Sequence, residues 1–390
     1  MRFVFILLGI FFVPGIFAQD QPLSQKIYFF SNRPLFSVPS PQSPWFQGFS
    51  YFPGIPGGYK ARGFHTGWAE VLSPSLRRQK GRLGVPQGRH GPIDDDAFQL
   101  SHHHELLHGP SGTRVVTDEL WGQSILFFVH GFNMSFEESM ERAAQFKMDL
   151  KWEGAVVVVD WPTAGVASGY KLDRSVAESD QEAHRSMGDF LAFLTQENVA
   201  EGRFAEARGA RHVLCHSMGS EIFNRTMIQL SRKSGLRARM FDNIIYAAPD
   251  VPVDDFGTAM RHLQGHGTAS RYTLYFSKKD AAIKAAKFAN ILGFEGFGAN
   301  GRLREFLRGR AGVVPRSYPG VDLIDVDLVN VPNFGNVFLE FRHLYFASSD
   351  RVLSDIELLV NRNLPPHARV STLRPMVSRD GNVSRYFVVP

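Results

Sequence analysis

Two stretches, SILFFVHGFN (124–133) and GAVVVVDWP (154–162), are apolar along their whole length until a turn containing Gly, Asn or Pro. A strand with one wet face alternates apolar and polar residues. A strand apolar at every position needs cover on both faces, which is the habit of parallel sheets. RHVLCHS (211–217), FDNIIYAAPD (241–250), SRYTLYFSKKD (270–280) and GVDLIDVDL (320–328) repeat the pattern. Helical segments separate most of these runs. Ser135 with Glu138 forms a capping box for a helix whose apolar face holds Phe136, Met140, Ala144 and Phe146. Residues 176–198 form a helix with Met187, Phe190, Leu191 and Leu194 inward, and 218–234 another, closed by Gly235. The expected class is α/β, with a mostly parallel central sheet and helices on both faces.

Upstream, KIYFFSNRPLF (26–36) and HTGWAEVLSPS (65–75) are strand-like. Residues 37–63, rich in Pro, Gly and aromatic side chains, are expected to form an ordered loop packed on the main domain, and 78–117 are polar and Gly-rich. Asp380-Gly381 between two alternating runs signals a β-hairpin in the C-terminal tail. The expected organisation is a signal peptide over 1–18, one domain over 19–365 embellished at 37–117, and a tail over 366–390.

The signal peptide rests on Arg2, the apolar run Phe3–Phe12 and the small-residue site Ile16-Phe17-Ala18, with a mature chain from Gln19. No cysteine lies there for a lipid anchor, and an uncleaved membrane anchor is the alternative. No later apolar run reaches the length of a membrane span, so none is expected after cleavage. The expected location is secreted or periplasmic. Cys215 is the single cysteine, so no intramolecular disulfide forms and stability must come from the core. Loss of Arg2 takes the net charge from +5 to +4, too mild to imply a polyanionic partner. The basic runs LRRQKGR (76–82) and GRLREFLRGR (301–310) are expected to be solvated faces, and no nucleic-acid motif is present.

RHVLCHSMGSEIF (211–223) runs from strand through a tight turn into helix. A serine at such a turn is an exposed nucleophile when small residues stand two before and two after it. Ser217 has Gly219 after it, but Cys215 where glycine is usual. Alternatively, Ser217 only caps the helix. The residues around it follow an order that favours catalysis. HGFN (130–133) follows the strand two before, and offers the Phe132 N–H beside that of Met218 as an oxyanion hole, with Gly131 and Asn133 in the loop. His130 is expected to brace that turn. Asp280 ends the strand two after and Asp250 the intervening one, so either can be the acid. His343 follows the last strand and precedes a helix capped near Ser349 or Asp350; it is the expected base. His262, His266 and His367 are weaker choices. The chain order is Ser, Asp, His, as in α/β-hydrolases.

Other features carry less. His102, His103, His104 and His108 cluster in SHHHELLH, and a metal on a helix face there lacks a third ligand at fixed spacing, so a solvated loop is expected. Cys215 is not expected to be a nucleophile. The glycines of FEGFGANG (294–301) follow no strand and are not read as a phosphate loop.

ILFFVHGFN, DWPTAGVASGYKLDRSVAESD, CHSMGS, YAAPD, YFSKKDAAI and RHLYF with VLSDIELL together resemble an uncharacterised bacterial α/β-hydrolase family of serine esterase or lipase type; YFFSNRP and GWAEVLSPS resemble its first two strands. The resemblance spans about residues 26–360. It implies an α/β-hydrolase fold, Ser217, Asp280 and His343 as triad, and 131–133 as the oxyanion loop. The expected activity is cleavage of a small-molecule acyl ester, with no cofactor or metal and no identified protein partner. An acyltransferase or peptidase with the same triad, or a binding protein that keeps the fold, are the alternatives.

Overall fold

The computed structural model describes residues 23–33, 64–73, 99–165, 169–200, 209–232, 239–280, 310–311, 317–329, 343–376 and 386–390. The segments 1–18, 37–63, 76–82 and 294–301 and the Asp380-Gly381 turn lie outside them. The elements are β1 (Leu23–Ser31), β2 (His65–Ser73), β3 (Gln99–His108), α1 (Gly109–Glu119), β4 (Ile125–Val129), α2 (Phe136–Asp149), β5 (Ala155–Asp160), α3 (Tyr170–Ser179), α4 (Gln181–Ala200), β6 (Arg211–His216), α5 (Gly219–Arg232), β7 (Phe241–Ala247), α6 (Val253–Gly265), β8 (Ala269–Phe276), β9 (Val321–Asp325), α7 (Tyr345–Ser348), α8 (Asp350–Arg362), β10 (Arg374–Pro375) and β11 (Tyr386–Val388).

The strands form an 11-stranded sheet in the order β10-β11-β9-β8-β7-β6-β4-β5-β1-β2-β3. From β11 through β1 every neighbouring pair is parallel. Alternate residues of one strand feed opposite faces. Phe127, Val129, Val157, Val159 and Cys215 pack with α1, α3, α4, α5 and α6, while Leu126, Phe128, Val156, Val158 and Leu214 pack with α2, α7 and α8. Each fully buried Phe or Val contributes about 1.5–3 kcal/mol, which is why these strands read as unbroken apolar runs. Among the described residues no helix is long and apolar enough to cross a membrane.

β5 lies on one side of β4 and the next strand, β6, on the other. The chain therefore reverses its direction of growth between β4 and β6. Their carboxyl ends carry His130–Asn133 and Ser217–Met218 into the crevice where α/β proteins gather ligands.

Several local expectations differ. The segment expected as polar and Gly-rich over 78–117, with a solvated histidine loop, contains β3 and most of α1. His102, His103 and His104 are in β3, paired antiparallel with Glu70, Ala69 and Trp68. Hydrogen bonding to β2 supplies a strand that composition does not announce. In a strand, His104 and His108 are not one helical turn apart. The helix expected over 176–198 is two helices. Asp180 breaks them, and its Oδ1 accepts the Glu182 and Ala183 N–H groups at 3.0 Å each. Arg310, in a run expected to be solvated, is buried and bridges to Pro252. In the tail, β11 pairs antiparallel with β10 and parallel with β9. The capping box is present, with Ser135 N–H on Glu138 Oε2 at 2.7 Å and Glu138 N–H on Ser135 Oγ at 3.1 Å.

A buried ion pair ties the strand ends together beside the crevice. Arg33, just past β1, donates from Nε to both oxygens of Asp160 at 2.8 Å. Its other nitrogens reach the carbonyls of Thr163 at 2.9 Å and Met134 at 2.8 Å. Burial alone would raise the Asp160 carboxyl, but Arg33, His130 and Ser31 outweigh it and hold it below its usual range. Removing one partner strands a buried charge. Arg33→Ala is expected to cost about 3–5 kcal/mol in urea unfolding, far more than loss of an exposed pair such as Lys151–Glu357.

Candidate active site

β6 ends at His216, and Ser217 takes a left-handed backbone with φ of 52°. That conformation costs an L-residue about 1–2 kcal/mol. Neighbouring backbone holds it: Ser217 N–H donates to Ala247 O at 3.0 Å, and Asp250 N–H donates to Ser217 O at 3.1 Å. α5 then begins at Gly219, crowded under the end of β4. A Cβ on Gly219 would lie 2.2 Å from His130 O and 2.6 Å from Val129 O, both backbone. Gly131, in the facing loop, is also tight: its Cβ would lie 2.8 Å from His216 Nδ1 and 3.1 Å from Ser217 Cβ. The Gly131 loop therefore touches the elbow.

Cys215 is the departure from the usual small-residue spacing. Its side chain points into the buried cluster on the α5 face, and its strand neighbours are Val129 and Tyr246. Burial raises its thiol well above the usual value, so it packs as a small apolar residue.

Asp280 and His343 meet. His343 Nδ1 lies 2.7 Å from Asp280 Oδ2, with the carboxylate fully buried. The acid loop is held by Asp280 N–H on Ser277 O at 3.2 Å, Ser277 Oγ on Asp327 Oδ1 at 2.8 Å and Lys279 Nζ on Asp327 O at 2.9 Å. His343 precedes α7, and Ser349 caps α8 by accepting the Val352 N–H. The His343 ring lies 4.7 Å from the His216 ring, which also packs at 4.4 Å on Phe346. This brings His343 beside the residue that precedes Ser217. Burial, then His343, Arg142 and His130, hold His216 well below the usual histidine range, so its ring is neutral.

Asp250, the other candidate acid, is engaged elsewhere. Its Oδ2 accepts from Tyr170 Oη and an Arg174 guanidinium nitrogen at 2.6 Å each, and Arg310 Nε lies 3.3 Å from Oδ1. Burial opposes its charge, but Arg174 and Arg310 prevail and lower its pKa. His262 is half-buried, and His266 and His367 are exposed.

The loop after β4 is braced from below. His130 Nδ1 lies 2.8 Å from Gly131 O, its Nε2 lies 3.0 Å from Asp160 Oδ1, and its ring stacks on Trp161 at 5.5 Å. Among the described residues no acceptor takes the Phe132 or Met218 N–H, while the Asn133 N–H donates to Asp173 Oδ2 at 3.3 Å. Sequence reading did not find Arg33, Asp160 or Asp173. Each works through contacts across 9 to 130 positions of chain, and of the three only Asp160 stands in a turn, DWPT, that the sequence marks.

A family described as "Alpha/beta hydrolase of unknown function (DUF900)" matches residues 113–362, more than half of the 390 residues. The chain belongs to this family. Hydrolase chemistry is thus the class its fold serves. No curated relative matches the hydrolase. Among solved structures it is similar to "Siderophore hydrolase EstB from Aspergillus nidulans", at 12% identity over 80% of this chain and 97% of that one, with a TM-score of 0.33. A likeness that low carries no argument about substrate.

Two outcomes test this hydrolase's elbow. Gly219→Ala forces backbone apart and is expected to cost about 2–3 kcal/mol, read by urea unfolding. Cys215 is expected to stay unreactive to a thiol reagent in the native hydrolase and to titrate fully once unfolded.

Proposed function

We propose that the protein is an exported serine hydrolase that cleaves carboxylic esters through an acyl-enzyme. The observation that carries this reading is His343 Nδ1 bonded to the buried Asp280 carboxylate beside an elbow that holds Ser217 in a strained, left-handed conformation. Asp280 engages Nδ1 of the imidazole, which leaves Nε2 as the nitrogen for proton transfer. His343 takes the Ser217 proton as Oγ attacks the acyl carbonyl, and the imidazolium then protonates the departing alcohol. The Phe132 and Met218 N–H groups receive the oxyanion, helped by the amino terminus of α5. Water, deprotonated by His343, releases the acid and restores Ser217.

An ester is preferred because an alkoxide leaves with less assistance than an amine. Support for export is the sequence alone: Arg2, the apolar run Phe3–Phe12 and the site at Ile16-Phe17-Ala18. A secreted or periplasmic location follows from it.

The mature protein is expected to be labelled by a fluorophosphonate probe, and Ser217→Ala and His343→Ala to abolish labelling. Ester turnover should fall by about 10³–10⁶-fold in Ser217→Ala. Wild-type turnover retained in Ser217→Ala would sink the mechanism.

A further inference from the structure

The oxyanion loop begins with Gly131, which has no side chain to fix it, and continues to Asn133 at a φ of 58°. Local sequence does not determine where its N–H groups point. Something outside the loop must do so.

α3 supplies two grips, one helical turn apart. Tyr170 sets its ring edge-on to the Phe132 ring, with centroids 5.2 Å apart and planes at 77°. Asp173, on the same helix face, is fully buried. Its Oδ2 accepts the Asn133 N–H at 3.3 Å, and its Oδ1 accepts the Ala164 N–H at 2.7 Å. The Asn133 N–H belongs to the peptide unit that follows Phe132. Tying it down fixes ψ of Phe132, and the ring contact fixes the side chain. Together they limit how far the Phe132 N–H can turn. Tyr170 also donates to Asp250, whose own N–H holds Ser217 O, so α3 reaches both the loop and the elbow.

We infer that Asp173 is a positioning residue for the proposed ester hydrolysis: its carboxylate, through Asn133, aims the Phe132 N–H at the developing oxyanion. The inference rests on the serine-hydrolase reading above. Two N–H donors face the carboxyl, so a proton on either oxygen competes with one of them. The ionised form is therefore the one that holds the loop.

The charged surroundings of Asp173 are sparse. Arg33, at the end of β1, favours its charge. Arg174, next to it on α3, is turned to Asp250 and Glu178. Asp160 of β5 is taken by Arg33 and lies beside His130. On α5, Glu221 and Arg225 pair with each other. Burial dominates and raises the Asp173 carboxyl to about 6, against the pull of the Ala164 and Asn133 N–H groups. A carboxyl raised in the folded state favours folding at low pH and loses that contribution as the pH rises through its folded pKa. At neutral pH the ionised group thus lacks that contribution, while both its oxygens accept backbone N–H groups.

The test measures kcat and KM on p-nitrophenyl butyrate across acidic and neutral pH, for wild type and Asp173→Asn, with melting temperatures beside them. In wild type the acid limb of kcat should be steeper than one ionisation allows, because His343 must be neutral and Asp173 charged. In Asp173→Asn the limb should relax to a single ionisation. Its kcat, measured well below the melting temperatures of both proteins, should fall about 10- to 100-fold with KM nearly unchanged. A single-ionisation limb in wild type, an unchanged kcat in the variant, or a loss carried by KM with kcat intact each overturns the inference. If the variant does not fold, the wild-type limb decides. A wild type that is active and Ser217-dependent but has a single-ionisation limb defeats the role of Asp173 alone. A wild type inert to both ester and fluorophosphonate defeats the hydrolase reading and this inference together.

Discussion

The arrangement depends on one close approach, where the first turn of α5 is pressed against the carbonyls of Val129 and His130 at the end of β4. Only a residue without Cβ fits at Gly219. Because helix and strand meet so tightly, β6 must turn within two residues, and Ser217 is left in the left-handed region. The strain does not relax, because the Ala247 carbonyl and the Asp250 N–H hold the serine backbone on both sides. The amino terminus of α5, the Gly131 loop and the serine side chain are thereby forced into one crevice.

Charge holds the rest of that crevice in place, in three separately sealed pieces. Arg33 and Asp160 lock the loops after β1 and β5 beneath His130. Arg174 and Arg310 neutralise Asp250 beside the elbow, and Tyr170 donates a hydrogen bond to it. Asp280 is buried with His343 as its partner. Buried ions are costly unless paired and hydrogen-bonded. An acid whose counter-ions are arginines is stabilised as a fixed anion; one whose partner is an imidazole sits where a proton can move. That physical difference separates Asp250 from Asp280, although both end neighbouring strands.

The fold was largely legible because its main signal is local. Phe127 and Phe128, or Val157 and Val158, are apolar side by side, since each faces a different covered side of the sheet. The capping box at Ser135 and Glu138 and the strand-to-helix turn at Ser217 are likewise written within a few residues. β3 was not legible. Its run of histidines becomes a strand through hydrogen bonds to β2, some 35 positions upstream. The break at Asp180 was missed because two amphipathic helices in register look like one until a side chain caps the second.

Sequence by itself determined the parallel sheet, the order of its strands' chemical residues and the elbow, because apolar period, capping and turn chemistry act between near neighbours. Tertiary structure alone decided that His343 bonds Asp280 and not Asp250, that Cys215 packs inward as a substitute for glycine, and that Arg33 and Asp173 brace the loop after β4. Those outcomes depend on which distant charges and N–H groups meet in the dry interior, where an unpaired polar group costs more than local propensity contributes.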